Sequence, residues 1–207
     1  MVTEQNRRLD MKKVVIVVDA QVDFIKEQAN LPVPGAEPLV EPINDYLKSL
    51  TKDDTHLVLY TFDTHTDDVY PDSPEGEMFP PHCYKGTPGW ELAVTEDVQV
   101  PVYKLEKGVF NMWEEDNVKI KDAEGYECSR EFFFAHLKRD ELFDVEVVGF
   151  ALNVCVKQAV EGLLDNGFRV KLLEELTKGI DTGGGEEDLD PRLVFKDSLV
   201  KRRLSIG

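Results

Sequence analysis

The chain has 207 residues, 42% of them apolar, enough for one large core. It carries 41 acidic against 24 basic side chains, a net charge of −17, which argues against binding nucleic acid or an anionic membrane through a basic patch. Three cysteines, an odd count, imply no disulfide framework and suit a reducing cytoplasm, and no apolar run is long enough to span a bilayer.

Residues 1–11 are polar and lack the apolar segment of a secretory signal; they read as a frayed extension, with Met11 an alternative start. Lys12 to Asp19, KKVVIVVD, is an almost unbroken β-branched run, the pattern of a central parallel strand covered on both faces. Glu37 to Leu50 has helical spacing at Leu39, Ile43, Leu47 and Leu50, with Pro38 near its start. His56 to Phe62 is a second strand and runs into Asp63-Thr64-His65. Residues 66–100 are rich in Pro, Gly and polar side chains, a long irregular stretch of the kind that is functional or disordered; its aromatics and its His82-Cys83 pair argue for function.

Pro101 to Leu105 is a third strand, and 114–127 reads as a polar insertion. Ser129 to Lys138 is a helix with Ser129 as its cap. Val145 to Gly149 is a buried strand, and the apolar-periodic run from Val154 to Leu164, stopped by Asn166-Gly167, is a helix. Phe168 to Leu173 is a fifth strand, 182–190 an acidic loop, and Asp190 to Leu204 a closing helix with Pro191 at its first position. The alternation of strands and helices, with no repeat or linker, predicts one α/β domain over 1–207: a three-layer α/β/α arrangement around a mostly parallel, Rossmann-like sheet.

Three reactive groups each follow a predicted strand: Asp19, Lys107 and Cys155. Sequential parallel strands end on one edge, so the three can converge. Cys155 falls at the start of a helix, where the dipole and unpaired N–H groups favour a thiolate and can hold an oxyanion. In that reading Cys155 attacks a carbonyl, Asp19 moves the proton, and Lys107 lowers the thiol pKa. The plainer alternatives are a buried core cysteine, a turn-capping Asp19 and a surface Lys107. A second constellation is Asp63, His65 and His82, with Glu75 as a candidate fourth member. Two imidazoles and carboxylates with open positions suit Zn²⁺, Mn²⁺ or Fe²⁺. Two histidines satisfied within a loop are the alternative there, since Asp-x-His is a short pattern.

These pieces resemble a known family. VVIVVDAQVDF (Val14 to Phe24), FDTH (Phe62 to His65), FPPHCYKGTPGWEL (Phe79 to Leu92), EKGVF (Glu106 to Phe110) and GFALNVCVKQAVEGLLDNGF (Gly149 to Phe168) are similar, in order and spacing, to the isochorismatase-like cysteine hydrolases and among them the nicotinamidases. The resemblance implies a catalytic trio of Cys155, Asp19 and Lys107. It implies one divalent metal ion, Zn expected first with Mn or Fe as alternates, on Asp63, His65 and His82, with Glu75 nominated by PEGEMFPPH. It further implies a cis Phe150–Ala151 peptide, an oxyanion hole from the N–H groups of Ala151 and Cys155, a ring sandwich of Phe24 and Phe79, and Phe110 beside it. The substrate it implies is a small amide, nicotinamide, hydrolysed to nicotinate and ammonia in NAD salvage, with no nucleic-acid or membrane partner and with room for a homo-oligomer. The chain departs from the common family pattern at Phe79, where Trp is frequent, at Leu152-Asn153, where Thr-Asp is usual, and in the length of 114–128. Rival readings are another amide or ureido hydrolase of this fold, a silent ligand-binding homologue, and a thiol redox protein, the last disfavoured by the lack of a CxxC motif.

Overall fold

A computed structural model describes residues 12–142, 144–180 and, as backbone, 194–195. Strand β1 (Lys13–Val18) is followed by a single helical turn, α1 (Val22–Ile25), a 3₁₀ turn (Glu37–Leu39) and α2 (Val40–Ser49). Then come β2 (Thr55–Asp63), a 3₁₀ turn (Tyr70–Asp72), β3 (Val102–Lys107), β4 (Lys119–Asp122) and β5 (Glu127–Ser129). Helix α3 (Arg130–Arg139), β6 (Asp144–Phe150), a π-helical turn (Leu152–Val156), α4 (Lys157–Asp165), β7 (Arg169–Lys178) and β8 (Val194–Phe195) complete the order.

The strands form one sheet in the order β5-β4-β3-β2-β1-β6-β7-β8. It is parallel from β3 to β8, while β4 and β5 add antiparallel. The alternation along β1 explains the layering. Val14, Ile16 and Val18 face a core shared with Phe133, Phe134 and Leu137 of α3 and with Val160 and Leu163 of α4. Val15 and Val17 face the opposite core, with Ile43 and Leu47 of α2. A strand buried on both sides must be apolar at every position, which is why KVVIVV shows no polar alternation. The sheet is thus covered on both faces, the three-layer α/β/α arrangement expected.

Chain progression reverses at β1: β2 and β3 build to one side, β6, β7 and β8 to the other. In an open parallel sheet such a switch point opens a crevice at the carboxyl ends of the strands. Asp19 follows β1, Asp63 ends β2, Lys107 ends β3 and Ala151 follows β6, so all four reach this one edge.

Four expectations need correction. The 37–50 segment is split into a 3₁₀ turn and α2; Pro42 then falls in the first turn of α2, where an amide donor is not needed. The 114–127 stretch contains most of a hairpin. Val118, just before β4, and Ile120 within it are the two apolar side chains facing the core there, too few for a clear period-2 signal, and Gly125 takes the left-handed turn position at φ 88°. Strand β7 runs on to Lys178, past a register shift between Val147 and Gly149. Val194 and Phe195, inside the expected closing helix, pair with β7 as a strand. The rest of that segment, the acidic 182–190 loop and the 1–11 extension lie outside the described residues. Ser129 caps α3 as expected, its hydroxyl accepting the Phe132 N–H. Among the described residues, no helix is long and apolar enough to cross a membrane.

Candidate active site

Asp19, Lys107 and Cys155 meet in the crevice. Lys107 Nζ lies 2.8 Å from Asp19 Oδ2 and 3.6 Å from Cys155 Sγ. All three are buried, which removes the reading of Lys107 as a surface lysine. Asp19 has φ 44°, and Thr61 fixes its carboxylate by donating to Oδ1 at 2.6 Å. Thr61 points inward from β2 and carried no signal in the sequence beyond a polar residue in an apolar strand.

The sulfur is not where an ordinary helix N-terminus would put it. After the cis Phe150–Ala151 peptide the chain makes a π-helical turn, with the Ala151 carbonyl accepting from the N–H groups of Val154 and Val156, both at 3.1 Å. Cys155 is the fourth residue of that turn, and α4 begins only at Lys157. The expected thiolate preference is reversed as well. Burial pushes the Cys155 thiol well above its usual value; Lys107 pulls it down, but the Asp19 and Asp63 carboxylates push it up again. The balance of these effects favours the thiol form of Cys155. Burial likewise raises Asp19, against the pull of Lys107 and with a further push from Asp63. A carboxylate held above its usual range beside a neutral thiol is suited to accept that thiol's proton.

The second constellation also assembles. Asp63, His65, Glu75 and His82 are all buried, and one donor atom from each lies within 4.8 Å of the others. Asp63 Oδ2 is 3.0 Å from His65 Nε2 and 3.1 Å from His82 Nε2; Glu75 Oε1 is 3.3 Å from His82 Nε2. His82 Nδ1 faces the Pro80 carbonyl at 2.8 Å and the Tyr70 hydroxyl at 3.1 Å. That contact assigns the proton to Nδ1 and leaves Nε2 for a cation, the usual arrangement of a ligating histidine. Glu75 Oε2 is buried without a hydrogen-bond partner. Two imidazoles, two carboxylates and an orphaned buried oxygen fit one divalent ion.

Burial opposes the charge on Asp63, yet Lys107 and both imidazoles hold its carboxyl well below the usual range. Burial alone would lower His65 and His82, but the nearby carboxylates of Asp63 and Glu75 raise them, to about 9 and about 10.

One narrow pocket joins the two groups. Its walls include Cys155 and Ala151 together with Glu75, and the three predicted aromatics Phe24, Phe79 and Phe110 line it. The rings of Phe79 and Phe110 meet edge to face with centroids 5.8 Å apart, and that of Phe24 stands 5.3 Å from His82. Val154, Leu31, Val33 and Ile180 complete the walls; the last three were not anticipated, since each comes from a loop with no periodic signal. Tyr70 and Gln21 were also missed. The Gln21 amide brackets the backbone of Asp63, Nε2 donating to its carbonyl and Oε1 accepting its N–H, both at 2.8 Å.

Known proteins place the chain. The family model described as the isochorismatase domain matches residues 13–190. A nicotinamidase/pyrazinamidase of Mycobacterium tuberculosis is 31% identical over 171 residues, covering 81% of this chain and 87% of that protein. A nicotinamidase of Saccharomyces cerevisiae is 29% identical over 215 residues, covering 89% and 93%. Among solved structures, the pyrazinamidase of Pyrococcus horikoshii in complex with zinc superposes with TM-score 0.64 at 25% identity, covering 83% of this chain and 89% of that one. PnC1 from L. infantum, in complex with nicotinate, gives TM-score 0.65 at 25% identity and 84% coverage of each chain. The sheet order, the crevice at its switch point and these matches agree: the chain belongs to the isochorismatase family, among the relatives of its nicotinamidases.

Proposed function

We propose that the protein is a metal-dependent cysteine amidohydrolase that converts nicotinamide to nicotinate and ammonia, a step of NAD salvage. One observation carries this: a single aromatic-lined pocket has both Cys155 and the cluster residue Glu75 in its walls. A flat ring bearing a carboxamide can reach both at once. The nicotinamidase and pyrazinamidase names of the relatives, one of them solved with zinc and another with nicotinate, support the substrate class.

In this reading Asp63, His65, Glu75 and His82 hold the ion, zinc by preference, which when bound supplies a Lewis-acid anchor for a pyridine ring nitrogen. Phe24, Phe79 and Phe110 bind the ring faces and edge. Asp19 takes the Cys155 proton as sulfur attacks the carboxamide carbon, and the N–H groups of Ala151 and Cys155 hold the oxyanion. The C–N bond breaks, the proton on Asp19 leaves with ammonia, and a thioester remains on Cys155. Asp19 then deprotonates a water that attacks the thioester, releasing nicotinate and restoring the thiol. Lys107 keeps Asp19 oriented and balances charge throughout. The reading takes the chain as one hydrolase domain in a reducing cytoplasm, in keeping with free Cys83, Cys128 and Cys155.

The test is ammonia release from nicotinamide, pyrazinamide, benzamide and a ureido substrate, each with Zn²⁺, Mn²⁺ or Fe²⁺. Nicotinamide turnover that depends on the ion, with benzamide poor for want of a ring nitrogen, is the expected result. Ureido hydrolysis without nicotinamide turnover would replace the substrate class.

A further inference from the structure

Asp23 lies in α1, two residues beyond the Gln21 bracket, and is 2% exposed. Three N–H donors meet its carboxylate. Cys83 N–H donates to Oδ2 at 2.7 Å, Asn30 N–H to Oδ1 at 3.2 Å, and Asn30 Nδ2 to Oδ2 at 3.2 Å. A buried carboxylate is costly unless hydrogen-bonded, so a position with no task would be served better by an apolar side chain.

What the donors are attached to gives the task. Cys83 directly follows the cluster residue His82 and sits in the left-handed region at φ 48°. While its N–H is held by Asp23, its carbonyl accepts the N–H of His65 at 3.1 Å. One backbone residue therefore passes the hold of Asp23 to both cluster imidazoles. On the other side, Leu31 N–H donates to the Asp23 carbonyl at 3.2 Å and Val33 N–H to the Phe24 carbonyl at 2.8 Å. Leu31, Val33 and Phe24 are walls of the ring pocket. A Cβ built on Gly89 would stand 2.2 Å from Asp23 Oδ2, so the 89–90 chain packs hard against the carboxylate and keeps it in place.

We propose that Asp23 is a positioning residue that couples the cation cluster to the ring pocket, setting His65 and His82 through Cys83 and the pocket loop through Asn30. The proposal rests on the reading of Asp63, His65, Glu75 and His82 as a cation site. Asp23→Asn keeps the shape but turns an amide donor or a weaker acceptor toward the Cys83 N–H. Asn30→Ala removes one donor at an exposed position, touching no cluster residue.

The experiment titrates Zn²⁺ into metal-free full-length protein against a chromophoric chelator. In parallel it measures benzamide binding to the metal-free protein, which reports the ring pocket without the ion. For Asp23→Asn, Zn²⁺ affinity should fall about 10- to 100-fold, the usual cost of losing a group that orients ligands. Benzamide affinity should fall alongside it. Asn30→Ala should lose about threefold in both, the worth of one hydrogen bond. Leu47→Ala, a core deletion in α2 that lowers melting temperature, should leave both affinities unchanged. Wild-type Zn²⁺ affinity in Asp23→Asn overturns the proposal while sparing the cation site; if Asp23→Asn does not fold, wild-type affinities in Asn30→Ala overturn it instead. Equal losses in Leu47→Ala would reduce the role of Asp23 to general stability. No Zn²⁺ binding by the wild-type protein would remove the cation site and the proposal together.

Discussion

The ammonium of Lys107 lies 3.3 Å from Oδ1 of Asp63, the carboxylate whose other oxygen faces both cluster imidazoles. The same ammonium holds Asp19 at 2.8 Å, so one buried cation is shared between the thiol chemistry and the cluster. Burial alone would pull the pKa of Lys107 down, but Asp19, Asp63 and Cys155 raise it well above the ordinary lysine value. Lys107 is therefore charged throughout any working pH range.

Removing that charge should damage both fold and activity. Lys107→Met leaves Asp19 and Asp63 as two buried carboxylates without their cation, a change that costs about 3–5 kcal/mol when a buried pair is broken. Urea melts should show the loss, and ammonia release should fall by about 10²–10⁴, the range for a lost acid–base contribution. A variant with wild-type turnover would remove Lys107 from the chemistry.

The raised thiol pKa makes a prediction about Cys155 itself. Because burial, Asp19 and Asp63 outweigh the pull of Lys107 and raise the Cys155 thiol, iodoacetamide should label it slowly at pH 7 and faster as pH rises. Cys155→Ala should abolish turnover while nicotinamide still binds, since the pocket walls and cluster remain. Single-turnover ammonia release by that variant would sink the nucleophile assignment.

Metal removal should act mainly on substrate binding. Chelated protein should show a raised KM for nicotinamide, because the thiol, Asp19 and Lys107 stay together without the ion. A bound ion also stabilises the native state by mass action, about 2.7 kcal/mol at a hundredfold excess over Kd. For a domain of this size that is roughly 2–4 °C in melting temperature per kcal/mol. Full activity in rigorously metal-free protein, with no change in melting temperature on adding Zn²⁺, would dismiss the cluster as a cofactor site.

The parts legible in the sequence are those with a short-range signal. KKVVIVVD and EVVGF announce buried parallel strands by their unbroken apolar runs, and strand ends followed by Asp19, Asp63 and Lys107 place those groups on one edge. The cluster was legible because Asp63 and His65 share a face, His82 and Glu75 stand in the long irregular stretch that follows, and the family likeness points to the same four residues. Hidden were the contacts made across long loops. Gln21 reaches Asp63 across 42 positions, and Cys83 reaches Asp23 across 60. No periodicity encodes a hydrogen bond between a turn residue and a distant backbone amide. The direction of the thiol pKa was hidden for a related reason: the local pattern shows a helix start, whereas the carboxylates of Asp19 and Asp63 and the walls that bury the sulfur come from other segments.

Away from the site, Glu146 makes a prediction about pH. It lies on β6 at the opposite end of the sheet from the crevice, half-enclosed by Lys13 at 2.9 Å, the Tyr46 hydroxyl at 2.6 Å and the Lys171 ammonium. Burial by itself would raise its carboxyl, but Lys171, Tyr46 and Lys13 outweigh that and hold it down at about 2. The folded-state value is thus below the unfolded one of 4.5. A depressed carboxylate gives stability that is fully present above the unfolded pKa and is lost as pH falls through the folded one. Glu146→Gln should therefore cost about 2 kcal/mol at pH 7, the worth of a hydrogen bond to a charged group. The gap between variant and wild type should shrink below pH 4.5 and close near pH 2. Urea melts of both proteins at pH 7, 5, 4 and 3 measure it, and a gap that stayed constant across that series would show that the charge on Glu146 contributes nothing to the fold.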